Sequence, residues 1–578
     1  MRELPWNPLK SSFRPYALLV SLACAGWPSV VAAQSGSQPQ IAWDASGALA
    51  VRMGDQVLIH PSVPQLWYFD WMQNGEPGRP DYAWMMESNR DFDARSQTHR
   101  VVHQWGRYTV TWKPGQDRVD VAVTVMNTLS QPIVTMKVYL TGIIKFAAEP
   151  KGYHWQHKFG VFGGTDEHGD ARPAVAVADI GKAAVLACIS GADNNCQLGF
   201  AGGANPRIIL RVHHLQPGEI RTVVGSLRLV PGSDSGRNPA EIAKDIYADF
   251  AERHPLTVSW PDRRPIATLH PSSAHLGAGT VGPTSNPRGW IGGTPAAPLD
   301  VTTEAGLTRF KSLMFNIARY TVRTCNEMNA QGVICWSIEG QQYPHTISYI
   351  GSPDKLAELA PEMDAIADEW FQVFTEAGLQ TGVCLRPQEL RPKPHGFPDK
   401  PPFKYEQSDL WDQTGHVDAE RVTELLADKL RYAKERWGCT LFYVDSNRGS
   451  KYGIDPQSGK VRQIYSEMHS WAIYQELSRR FPDCLIMPEH ETHMYWSCTA
   501  PIGATPQDVS RAWPEAFSVN LMQNFNPDDE QAVQRIESFV RRGDILLFPG
   551  WYPARENAVV KGVYQRNHVP RWHGDAQD

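Results

Sequence analysis

Cysteine is sparse, nine residues in 578, and no Cys-x-x-Cys or His-Glu-x-x-His spacing occurs anywhere. The usual frameworks for a structural metal cluster or a helical zinc site are therefore missing. Basic charge is not in excess either: 56 Lys and Arg stand against 62 Asp and Glu, a net charge of −6, which argues against nucleic acid as a partner. Beyond the N-terminus no segment has the uninterrupted apolar length of a membrane-spanning helix. There is no clear internal repeat and no low-complexity tail.

What is present begins with Arg2, Lys10 and Arg14 ahead of the apolar run 16–27, followed by the small residues of Val30-Val-Ala-Ala-Gln34. Basic, apolar and cleavable regions in that order read as a signal peptide over residues 1–33, and the run is too short for a permanent anchor. The expectation is a secreted or periplasmic protein with no integral membrane segment after signal cleavage. Export makes ATP or NAD poor guesses, and no cofactor is called for. In an oxidising compartment Cys188 and Cys196, which bracket the turn-rich Ile-Ser-Gly-Ala-Asp-Asn-Asn, are spaced for a local disulfide. Cys335, Cys384, Cys439 and Cys484 each fall in or beside an apolar strand and read as small core residues.

Residues 34–260 read as one β domain. Short alternating segments such as Tyr108-Thr-Val-Thr-Trp and Arg118-Val-Asp-Val-Ala-Val-Thr-Val-Met126 are punctuated by Pro114-Gly115 and similar turns. That pattern predicts an antiparallel β-sandwich. A helical patch at 239–252 closes it, and the boundary falls near 260.

Residues 261–578 change rhythm to strand, loop, helix. Strands are expected at 289–292, 332–340, 381–386, 439–444, 483–489, 517–523 and 544–551. Helices are expected at 303–328, 353–377, 419–437, 464–480 and 527–542. Regular alternation of this kind predicts a (β/α)8 TIM-type barrel. Only seven strands are countable, so one is missing or degenerate and an open doubly wound sheet stays possible.

In such a barrel the residues after each strand share one mouth. They are Glu339, Arg386, Asp445 with Asn447, the cluster Glu489-His490-Glu491-Thr492-His493, Gln523 with Asn524, and Trp551 with Tyr552. Asp445 ends the apolar strand Thr440-Leu-Phe-Tyr-Val, although Asp and Ser at this place also suit a turn cap. Two carboxyls on consecutive strands push their pKa values apart, the division of labour that glycosidic bond cleavage requires. Asp445 is the expected nucleophile or base and Glu489 the general acid, with Glu491 able to replace Glu489. Glu339 is a third acid suited to a sugar hydroxyl. Arg386 is placed to keep Asp445 ionised, and Asn447, His345, His490 and His493 to meet hydroxyls. Twenty tryptophans, many beside polar clusters, suit the apolar faces of a carbohydrate substrate, with Trp551 as the platform candidate and Trp336 as core.

An N-terminal β-sandwich ahead of a barrel resembles the secreted glycoside hydrolases of the alpha-galactosidase and alpha-glucosidase type. In those a strand of the form apolar-apolar-x-Asp-x-Asn carries the nucleophile, and Phe442-Tyr-Val-Asp445-Ser-Asn447 is similar to it. Tyr443 stands where many alpha-galactosidases have Lys, and an acid on the next strand is more similar to the alpha-amylase arrangement. The resemblance implies a glycosidase without naming its sugar. Two other readings remain. Glu489, His490, Glu491 and His493 as metal ligands would make a metal-dependent hydrolase or deacetylase, and acids that only hydrogen-bond sugars would make a non-catalytic carbohydrate-binding protein.

Overall fold

The computed structural model describes residues 40–568 apart from 54, 74–75, 79–81, 116–117, 145–162, 166–170, 173, 180–182, 191–195, 202–206, 232–243, 273–284, 293–296, 341–349, 393–404, 413–416, 455–460, 506, 524 and 552–553. The expected signal segment, His345, Asn524 and Tyr552 lie outside the described residues, as does the Cys188 side chain on which the expected disulfide depends.

Two seven-stranded sheets, antiparallel at every pairing, build the N-terminal part. Their inner faces meet in one apolar core, with Phe69, Met136, Val138 and Leu210 from one sheet against Val101, Tyr108, Trp112 and Val123 from the other. The alternation read in the sequence is the cause: along Arg118–Asn127 every second residue, Val119 through Val125, is buried, which gives the strand one apolar face to cover. Cys188 and Cys196 sit on strands of different sheets. Helix Lys244–Arg253 then leads out, and its Phe250 packs with Trp496, Val509 and Trp513.

The second part holds parallel strands Ile266–Leu269, Gly332–Cys335, Gln380–Leu385, Leu441–Val444, Leu485–Pro488, Val519–Leu521 and Ile545–Pro549. The first strand is Ile266–Leu269, not 289–292 as the sequence suggested. Residues 289–292 make only one bridge, Trp290 to Ser272, and Trp290 is fixed by its own side chain, whose indole N–H donates to Glu362. The missing strand is the short run 500–503. Ala500 and Ile502 donate to the carbonyls of Ile486 and Pro488 on one side, and Gly503 donates to Val519 on the other.

That run closes the sheet. Paired residues can be followed from Val519 to Ile545, on two to Leu547, across Ile266, Gly332 and Gln380, on two to Gly382, across Leu441 and Leu485, on four to Glu489 beside Ile502, and back to Val519. The circuit returns displaced by eight residues, the shear of a (β/α)8 barrel. An open doubly wound sheet is thereby excluded.

Helices pack outside. Helix Ala419–Trp437 shows why they form where they do: Asp418 accepts from the Arg421 N–H at its start, and Val422, Leu426, Leu430, Ala433 and Trp437 recur on one buried face. Gly438 ends it in the left-handed region. The helix expected at 464–480 is Trp471–Arg480 alone, because Val461–Met468 pairs with Arg448–Ile454 as a hairpin inserted after the fourth strand. A second hairpin, Glu389–Pro392 with Tyr405–Ser408, occupies part of the Pro-rich loop after the third.

Candidate functional site

Strand periodicity decides which side chains meet. Ile266, Ile334, Cys384, Leu441, Tyr443, Leu485, Met487, Val519, Ile545 and Leu547 fill the barrel interior as one cluster. Their neighbours Ala267, Val333, Val383, Phe442, Val444, Ile486, Leu546 and Phe548 pack outward against the helices. Every second residue points in, so the next inward positions beyond the last apolar layer are His270, Trp336, Arg386, Asp445, Glu489 and Gln523. These close the interior at the mouth, the face where barrel enzymes carry their chemistry.

Asp445 is almost wholly buried, 6% exposed. Arg386 donates to its Oδ2 from Nε at 2.6 Å, and Nη2 of the same guanidinium lies in ion-pair contact with that oxygen, so the carboxylate gains a charge-assisted pair. The guanidinium is held in turn by Gln407, which accepts from Nη1 at 2.6 Å and donates to the Ile350 carbonyl at 2.9 Å. Ser446 Oγ lies 3.1 Å from the same Oδ2. The Ser446 N–H donates to Glu489 Oε2 at 2.7 Å. One serine thus touches both carboxylates, which come from neighbouring strands. The Glu489 side chain is about a third exposed, and His490 Nε2 stands 3.6 Å from Oε2.

Across the mouth, the His270 ring stacks on Trp336 with centroids 5.5 Å apart, and Trp336 lies 4.6 Å from Tyr443. Gln523 Nε2 donates to Thr268 Oγ1 at 2.9 Å and sits 3.2 Å from His270 Nε2. Burial drives the His270 imidazole down to about 4, so near neutral pH it is a neutral donor or acceptor rather than a cation. Sequence reading missed His270, because the strand before it was not recognised. Trp336, read as core, does face the core but also floors the mouth.

Other expected residues lie elsewhere. Glu339 is fully buried behind the mouth, with Oε1 accepting the Ser352 N–H at 2.7 Å. Burial pushes its carboxyl up to about 7, and the same burial pulls nearby Lys429 down to about 8. Lys429 donates to the carbonyls of Gly351, Arg386 and Gln388. Asn447 is also fully buried. Its amide donates to the His490 carbonyl and accepts the His490 N–H, at 2.7 and 2.6 Å, so it ties two strand ends together rather than facing a ligand. The fifth strand stops at Pro488 and bends, which leaves Glu491 exposed on a turn and His493 half-buried beyond it. Trp551 packs against the apolar layer outside the barrel. Among the described residues no three His, Cys, Asp or Glu side chains converge as metal ligands, so the metal reading of the 489–493 cluster has no ligand geometry behind it. Cys335, Cys384, Cys439 and Cys484 are buried thiols, as core residues should be.

No family model matches the chain and no curated protein matches it in sequence. Solved structures similar to it include glycoside hydrolases and a polysaccharide lyase. A GH36 alpha-galactosidase from Geobacillus stearothermophilus is 11% identical, with 89% of this chain and 74% of that one covered and a TM-score of 0.34. An alpha-galactosidase from Lactobacillus brevis is 10% identical over 89% of this chain and 73% of that one, TM-score 0.35. An alpha-L-fucosidase from Paenibacillus thiaminolyticus is 11% identical over 53% and 74%, TM-score 0.27. The chemistry at the barrel mouth follows from this chain's own residues.

Proposed function

We propose that this chain is an exported glycoside hydrolase that cleaves a poly- or oligosaccharide with Asp445 and Glu489. The observation that carries the reading is the junction at Ser446, where two carboxylates from adjacent strands share one residue at the barrel mouth. Their surroundings differ in the way the reaction needs. Asp445, buried and ion-paired with Arg386, is the nucleophile or base. Glu489, more exposed and bonded to a neutral amide, is the group able to carry a proton to the leaving oxygen. Trp336 and Tyr443 pack as the buried floor beneath the pair, and His270 and Gln523 offer neutral polar groups to sugar hydroxyls. Export rests on the character of residues 1–33.

The experiment is a screen of purified protein against aryl glycosides and plant and bacterial polysaccharides, repeated with Asp445→Asn and Glu489→Gln. Each variant should lose roughly 10²–10⁴-fold in turnover, the range for a positioned acid or base, while sugar binding persists. Full activity in both variants would overturn the assignment.

A further inference from the structure

Asp445 Oδ2 takes every contact described at this carboxylate, hydrogen bonds from Arg386 Nε and Ser446 Oγ and the ion-pair contact of Arg386 Nη2. Among the described residues none reaches Oδ1, which leaves that oxygen for the mouth. Ser446 itself has φ 53°, in the left-handed region that a residue with a Cβ adopts only at a cost. That conformation turns the chain after Ser446 out of the strand direction, while its N–H, carried on the peptide bond from Asp445, meets Glu489 Oε2. Its carbonyl is anchored as well: Gln388 Nε2 donates to it at 3.1 Å and to Asp409 at 2.9 Å, and Gln388 is itself buried.

A glycine would adopt this backbone without strain and would keep the N–H to Glu489. What serine adds is the hydroxyl, and the hydroxyl's acceptor is Asp445. From this we infer that Ser446 is a positioning residue of the carboxylate pair: its Oγ holds Asp445 Oδ2 so that Oδ1 is presented, while its N–H sets the orientation of Glu489. This rests on the carboxylate-pair reading above. The charged and titratable groups around the pair are Arg386 and Cys384 from the third strand, and Glu489 with His490 beside it from the fifth.

Ser446→Gly and Ser446→Ala separate the hydroxyl from the turn. Both delete the bond to Asp445, but only glycine relieves the left-handed backbone. In Ser446→Gly, kcat should fall roughly ten- to a hundred-fold, the worth of one hydrogen bond to a charged group, with KM little changed. The thermal midpoint should stay or rise. A glycine variant with wild-type kcat would make Ser446 a turn residue only and overturn the inference, as would one whose loss appears in KM and not in kcat. If the wild-type enzyme hydrolyses no glycoside, the carboxylate-pair reading fails separately. A double-mutant cycle of Ser446→Gly and Asp445→Asn in urea then decides the contact: non-additive stabilities support it and strictly additive ones refute it.

Discussion

Replacing Glu339 by Gln puts a neutral near-isostere into a sealed site, and the structure makes the outcome depend on pH. Oε1 takes the Ser352 N–H, while Oε2 is buried with no hydrogen-bond partner among the described residues. Desolvation raises the carboxyl from 4.5 to about 7, so in the folded protein it is protonated at pH 5 and ionised at pH 8, whereas in the unfolded chain it is ionised at both. A carboxyl raised in this way contributes stability that is complete below about 4.5 and is lost as pH climbs through about 7. The rise corresponds to about 3 kcal/mol across that window. Gln carries no proton to lose. The difference in unfolding free energy, variant minus wild type, should therefore swing by about 3 kcal/mol in the variant's favour between pH 4.5 and pH 8. Urea unfolding followed by tryptophan fluorescence at those two pH values reads the swing directly. A difference that stays constant with pH would refute the buried, proton-holding role given to Glu339. Loss of carbohydrate binding in the variant would return it to the ligand site.

Removing Arg386 tests the ion pair. Arg386→Met strands Asp445 in a nearly dry site and should cost about 3–5 kcal/mol, while adding Asp445→Asn should recover part of it; strictly additive effects in denaturant titrations would deny the coupling. Asn447→Ala deletes two mutual bonds to the His490 backbone and should lower stability by about 2–3 kcal/mol, checked by thermal melts. Gly438→Ala should cost about 1 kcal/mol, for conformational reasons alone, because φ is 68° and nothing stands within 4 Å of the added Cβ. An unchanged urea midpoint would count against the left-handed cap.

Much of the fold was legible because it is written in periodicity. Period two with a polar alternate marked the sandwich strands, and solid apolar runs marked barrel strands covered on both sides. Two strands escaped for a physical reason. Ile266–Leu269 has only four residues and follows the charged Asp262-Arg-Arg-Pro265. The run 500–503 is equally short and includes Pro501, which cannot donate to a ladder, and Gly503. Neither looks like a strand in isolation; each is made one by the register of its neighbours. The hairpin at 448–468 was lost in the same way, since Gln463-Ile-Tyr-Ser-Glu-Met468 also fits a helical start and only its partner across the turn decides.

The candidate site shows where sequence reading of a barrel needs a second rule. Counting acids after strands treats Glu339, Asp445, Glu489 and Glu491 alike. Phase along the strand separates them. Asp445 and Glu489 each lie two residues beyond an inward apolar side chain, Tyr443 and Met487, and so continue the interior face. Glu339 lies three beyond the inward Trp336, on a stretch that has already left the sheet, and it ends under the loop at Ser352. Glu491 keeps the even spacing, but the strand has stopped at Pro488, so spacing no longer means direction. Asn447 fails for the same reason: Ser446 at φ 53° breaks the alternation, and its amide goes to the neighbouring strand instead of the mouth. An acid belongs to the mouth when it is in phase with the interior and the backbone between them is still extended. On that criterion His270, which no acid count would find, joins Asp445 and Glu489, because it lies four residues beyond Ile266 and directly follows the strand Ile266–Leu269.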